Sequence, residues 1–121
     1  MRGDELERGM AMRRAVLGDA YVDRAEAAKS SLTEDFQDLL TRYAWGDVWA
    51  RPGLDRRTRS CITVAMLVAL GQEEELRLHL LGAISNGVTV DELKEVLLQT
   101  AIYCGIPAGN TAFRVAAEVL L

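Results

Sequence analysis

The sequence predicts an all-α fold, a helical bundle of about six helices. Three observations carry that reading. No segment alternates apolar and polar residues long enough to form a strand, apolar residues recur at three- and four-residue spacing, and glycines stand where those stretches stop. A first helix is predicted from Asp4 to Leu17, stopped by Gly18, with one or two helical turns in the Ala-rich stretch Tyr21 to Lys29. Ser31-Leu32-Thr33-Glu34 has capping-box spacing, and Phe36, Leu39, Leu40 and Tyr43 follow at helical intervals. Trp45 to Gly53 breaks the pattern and reads as a turn-rich connection carrying both tryptophans. Asp55 suits the cap of the next helix, which is almost wholly apolar from Cys61 to Leu70. Such a helix belongs at the centre of a bundle or at a subunit interface. Glu73 to Asn86 gives another helix, ended by Gly87. Thr89-Val90-Asp91-Glu92 is a second capping box, opening a helix to about Tyr103. Gly105-Ile106-Pro107 then punctuates the chain, and Pro107 suits the first turn of a last helix.

Composition narrows the function classes. The 121 residues suit one domain spanning residues 1–121, and 50% of them are hydrophobic, enough for a core with apolar surface left for self-association. The net charge of -4, from 14 basic and 18 acidic residues mixed along the chain, argues against a nucleic-acid binder. Two cysteines, Cys61 and Cys104, and one histidine, His79, assemble neither a disulfide framework nor a zinc site. Both cysteines fall in apolar stretches, which predicts buried, reduced thiols. The charged opening Met1-Arg2-Gly3-Asp4-Glu5 has no signal core behind it, and no apolar run reaches the roughly 18 residues of a membrane span. A cytoplasmic protein is expected.

Few residues can carry chemistry. His79 shares a predicted helix face with Leu76, Leu80 and Ala83, and Glu75 stands one turn earlier, placed to hold the imidazole. Its side chain is the one whose ordinary pKa suits proton transfer near neutrality, and the alternative is a core histidine satisfied by a backbone carbonyl. Arg51, Arg56, Arg57 and Arg59 concentrate positive charge around one helix start. Guanidinium forks there could clamp the carboxylates of a small acid, or form a solvated face paired with Glu73, Glu74 or Glu75. Arg51 and Arg59 flank the change from polar to apolar sequence and are the better pocket candidates. Trp45, Trp49 and Tyr43 could wall a pocket or anchor a core. Tyr103 and Asn110 flank the Gly-Pro break, where helix-start amides can face an anion or Asn110 can bond locally.

Several strings in this order resemble the 4-carboxymuconolactone decarboxylase family. They are Arg13-Arg14-Ala15-Val16-Leu17-Gly18-Asp19, Arg42-Tyr43-Ala44-Trp45-Gly46, Gly53-Leu54-Asp55-Arg56-Arg57-Thr58-Arg59-Ser60, Glu75-Leu76-Arg77-Leu78-His79, Asn86-Gly87-Val88-Thr89, and the run from Glu95 to Pro107. The likeness covers essentially the whole chain. It implies the helical fold of the alkylhydroperoxidase D group (AhpD-like), a ring-like homo-oligomer, commonly a hexamer, and no cofactor or metal. It also implies conversion of a small dicarboxylate lactone, γ-carboxymuconolactone, to β-ketoadipate enol-lactone and CO2 in protocatechuate breakdown. Under that resemblance His79 is the expected proton donor or oxyanion partner, oriented by Glu75, and Tyr103 a second hydrogen bond to the oxyanion. Arg51 and Arg59 are then carboxylate binders, Trp45 a pocket wall and Asn110 a substrate contact. Peroxidase-type relatives carry CxxC followed by a histidine four residues on. If His79 matches that histidine, Gln72 and Glu75 hold the cysteine positions, and Ser60 replaces an upstream glutamate. Neither Gln72 nor Glu75 is a thiolate nucleophile, so a thiol-disulfide cycle is not expected there. The competing expectations are a decarboxylase of another lactone, a thiol peroxidase using Cys61 or Cys104, and a non-catalytic helical oligomer.

Overall fold

A computed structural model describes residues 2–121; Met1, first in the charged opening run, lies outside them. Every regular element among the described residues is helical. In order these are α1 (Arg2–Leu17), α2 (Asp19–Ala27), α3 (Glu34–Leu40), a π-helical segment (Thr41–Trp49), α4 (Arg56–Ala69), α5 (Glu73–Ser85), α6 (Val90–Cys104) and α7 (Ile106–Leu120). The all-α expectation therefore holds, with seven α-helices. No helix is long and apolar enough to cross a membrane among the described residues. The helices gather into two units, one up to Leu54 and one from Asp55 to Leu121.

In the first unit α1 and the π-helical segment touch backbone to backbone. A Cβ on Gly9 would stand 1.9 Å from the Thr41 carbonyl oxygen, and one on Gly46 would stand 2.4 Å from that of Glu5. Arg8 Nε donates to the Gly46 carbonyl at 2.9 Å. This corrects the expected turn-rich connection at Trp45 to Gly53, because residues through Trp49 stay helical in a widened register. The Ala50 amide donates five residues back, to the Trp45 carbonyl, at 3.0 Å. Gly46 is a packing glycine: it gives α1 room instead of breaking the helix.

The expected Ser31 box is also displaced. The Thr33 hydroxyl accepts the Ser30 amide at 3.0 Å, and the Ser30 hydroxyl accepts the Leu32 amide at 3.2 Å. Thr33 is thus spent on the preceding turn, and α3 begins at Glu34 without a side-chain cap.

The second unit is a four-helix core of Val64 and Val68 from α4, Leu76, Leu80 and Ala83 from α5, Leu93 and Leu97 from α6, and Ala112, Val115 and Ala116 from α7. Asp55 caps α4 as predicted, accepting the Thr58 amide at 2.7 Å. The apolar stretch of α4 turns only one face inward. Val64 and Val68 are buried, while Ile62, Met66 and Leu70 stand in solvent. Pro107 lies in the first turn of α7, and Gly105 closes α6 at φ 105°, a left-handed conformation that glycine adopts without strain.

The second predicted capping box is present in full. Thr89 Oγ1 accepts the Glu92 amide at 3.1 Å, and Glu92 Oε1 accepts the Thr89 amide at 3.0 Å. Arg57 pairs with the same carboxylate and donates to the Gly87 carbonyl at 3.1 Å. The Arg57 guanidinium and then the Thr89 amide hold the Glu92 carboxyl down to about 2. Its folded-state pKa is depressed from 4.5, so its contribution to stability is complete above pH 4.5 and is lost as pH falls toward 2. Replacing Thr89 with Ala is expected to cost about 1 kcal/mol in urea unfolding, the usual worth of a helix cap.

Candidate active site

His79 sits on the inner face of α5 with Leu76, Leu80 and Ala83, and only 7% of its surface reaches solvent. Burial lowers its pKa from 6.5 to about 4. At neutral pH it is therefore a neutral imidazole, one nitrogen donating and the other accepting. Glu75 is exposed one turn earlier, and Arg59 is half-buried near the start of α4.

A polar pair that the sequence-based candidates omit lies in the same unit. Ser60 is fully buried on α4, and its hydroxyl accepts from Asn86 Nδ2 at 2.9 Å. Asn86 Oδ1 is buried and has no hydrogen-bond partner among the described residues. The signal was a serine in register with Val64 and Val68 on an apolar face, where a hydroxyl needs a partner from a neighbouring helix. Asn86 ends α5, so the α4–α5 packing brings the two together.

The remaining candidates are spread more widely. Tyr103 is 81% exposed near the end of α6, and Asn110 is exposed on α7, so neither shares the buried surroundings of His79. Arg51 is exposed just after the π-helical segment of the first unit. Trp45 is buried within that segment, its ring stacked on Trp49 with centroids 5.0 Å apart and planes at 27°.

The cysteines depart from the expectation of burial. Cys104 is exposed and Cys61 half-buried: Cys104 is the last residue of α6, where the buried row of Leu97, Thr100 and Ala101 has run out, and Cys61 packs only at the margin of the core. Burial raises the Cys61 pKa, which suppresses the thiolate. Among the described residues no group of three or more His, Cys, Asp or Glu could hold a metal ion.

Two concavities mark the second unit. A cleft of about 320 Å³ is lined by Leu67, Leu70, Gln72, Glu73 and Thr111 among others. A groove of about 210 Å³ between α6 and α7 is lined by Leu93, Leu97, Phe113, Ala116 and Leu120. His79 lines neither. A dianionic ligand gains nothing from Glu73 in the first, and the second offers it one cation, Lys94, among otherwise apolar walls.

The sequence places these elements among known proteins. The family model described as Carboxymuconolactone decarboxylase family matches residues 34–118. A 4-carboxymuconolactone decarboxylase of Acinetobacter baylyi is 49% identical over 113 residues, covering 93% of this chain and 84% of the relative. A nitrosuccinic acid decarboxylase of Metarhizium robertsii, npaB, is 44% identical over 110 residues, covering 87% of this chain and 77% of the relative. A 4-carboxymuconolactone decarboxylase of Pseudomonas putida is 49% identical over 47 residues, 36% of this chain and 98% of the relative. The matched span, which takes in more than half of the chain, and the 49% identity together show that the chain belongs to the carboxymuconolactone decarboxylase family.

Proposed function

We propose that this protein decarboxylates 4-carboxymuconolactone to 3-oxoadipate enol-lactone and CO2, in protocatechuate catabolism. The observation that carries the reading is the 49% identity, across 93% of the chain, with the Acinetobacter relative of that name. The family match takes in residues 34–118, part of the first unit and most of the second, and the Acinetobacter relative aligns with 93% of the chain, which supports reading residues 1–121 as one functional domain.

The chemistry fits a neutral histidine. As the carbon–carbon bond to the departing carboxylate breaks, its electron pair moves through the ring double bond onto the lactone carbonyl. A proton then adds to the carbon beside that carbonyl. The ring is its own electron sink. A neutral imidazole N–H can donate to the carbonyl oxygen as charge builds there, inside a region that excludes water. His79 is assigned that role, and Arg59 and Arg51 the carboxylates, with Trp45 as an apolar wall. Glu75 is assigned the orientation of His79. Tyr103 and Asn110, both exposed, join the site only where an assembled homo-oligomer covers them. Exposed Leu98, Ile102, Tyr103 and Ile106 along α6 and the start of α7 support such assembly, with a hexamer as the expected form.

The test supplies the lactone in situ from its upstream cycloisomerase and follows CO2 and enol-lactone. Turnover without added metal or cofactor supports the proposal; none from a folded protein sinks it. A second reading, loss of CO2 next to a nitro group, is favoured by the 44% identical Metarhizium relative, and nitrosuccinate belongs in the same assay. Alkylating Cys61 and Cys104 is expected to leave turnover within about twofold, since no step uses a thiolate. A thiol peroxidase would be silenced by it.

A further inference from the structure

Arg13 is the most deeply buried charge in the first unit, with 4% of its surface exposed. Among the described residues no carboxylate pairs with it. Its Nη1 donates to Thr41 Oγ1 at 3.5 Å and its Nη2 to Gln37 Oε1 at 3.2 Å, while Nε is buried with no hydrogen-bond partner. Enclosing a guanidinium among neutral oxygens is costly, so its position calls for a compensating role.

The two acceptors identify one. Gln37 lies in the last turn of α3, Thr41 opens the π-helical segment, and the Thr41 hydroxyl donates to the Gln37 carbonyl at 2.7 Å. Arg13 thus bridges the point where backbone bonds change from four to five residues back. Two neighbours on α1 address the same segment: Gly9 contacts Thr41 and Gly46, and Arg8 holds the Gly46 carbonyl. Shedding the extra residue of the wide register would turn everything beyond it by roughly 100° about the helix axis, and Trp45 stands four residues beyond Thr41. Wide helical turns are rare and are frequently found at functional sites.

We propose that Arg13 is a positioning residue that locks this register change and thereby fixes the Trp45–Trp49 stack for substrate binding. The last clause rests on the reading of Trp45 as a substrate wall. Arg13→Lys keeps a buried cation at the same place but removes the fork that spans both acceptors.

The chain has only two tryptophans, so an exciton couplet in far-ultraviolet circular dichroism reports their stack alone. Arg13→Lys is expected to lose the couplet and raise KM for the lactone about tenfold, with kcat within about twofold and the pH profile unchanged, the pattern of lost uniform binding. A folded Arg13→Lys that keeps the couplet overturns the clamp. Loss of the couplet with unchanged KM overturns the link to binding, as does a fall in kcat alone. Should Arg13→Lys be recovered only unfolded, Gln37→Leu, which removes one acceptor from a half-buried position, is judged by the same two readouts. A parent protein inert toward the lactone defeats the proposed function instead, and the couplet still judges the clamp.

Discussion

Replacing His79 with alanine is expected to lower kcat/KM by about 10²–10³-fold, the usual loss when one donor to a developing oxyanion is removed. His79→Gln, which restores an N–H donor on a side chain of similar reach, should recover part of that loss. The state of the imidazole sets the pH dependence. Burial holds its pKa at about 4, so it stays neutral across the physiological range and contributes no inflection near 6.5. Activity that depends on the neutral ring should fall only as pH drops through about 4. A charged general acid would behave in the opposite way, gaining activity as pH falls through its pKa. Unchanged turnover in His79→Ala would remove the residue from the mechanism.

The same burial makes His79 a stability sensor. Its folded pKa lies below its ordinary value, so the unfolded chain binds the proton more readily. Its contribution is complete above pH 6.5 and is lost as pH falls toward 4, a change of about 3 kcal/mol by linkage for the full shift. Urea unfolding of the parent should show that slope, and His79→Gln should flatten it. Activity and stability thus test one assignment by different routes.

Much of this architecture was legible because it rests on local chemistry. Asp55, Thr89 with Glu92, and Pro107 act within one turn of the backbone they cap, so their roles follow from spacing alone. His79 could be placed on an apolar face because Leu76, Leu80 and Ala83 fix that face by helical period. The misreadings share a different cause. Gly46 resembles a helix breaker in sequence, but its function is set by α1, which lies 37 residues earlier at Gly9. Ser31 lost the cap because Thr33 and Ser30 bond to each other, a choice between near-equal local alternatives. Ser60 and Asn86 are 26 residues apart, and only the packing of α4 on α5 makes them a pair. Tyr103 and Asn110 flank a turn, and spacing along the chain does not show what covers that turn. Contacts between distant segments, rather than elements, were what the linear pattern did not hold.

Gly9→Ala should destabilise the protein by about 3 kcal/mol or more, although alanine is the better helix former. Propensity alone would favour the change by about 1 kcal/mol. The added methyl, however, would stand 1.9 Å from the Thr41 carbonyl oxygen and 2.9 Å from the Gly46 amide nitrogen. Both obstacles are backbone atoms, so no side-chain rotation relieves the clash, and α1 must move away from the π-helical segment. That movement would also strain the Arg8 bond to the Gly46 carbonyl and the Arg13 bridge to Thr41. Gly46→Ala meets the Glu5 carbonyl oxygen at 2.4 Å and should fail in the same way. Gly3→Ala is the internal control, since it lies on the same helix with nothing within 4 Å of an added Cβ. It should be neutral or stabilising by up to about 1 kcal/mol. Urea midpoints of the three variants, measured with the tryptophan couplet alongside, separate packing from propensity. If Gly9→Ala matched Gly3→Ala in stability, the close crossing of α1 and the π-helical segment would not be the contact that holds the first unit together.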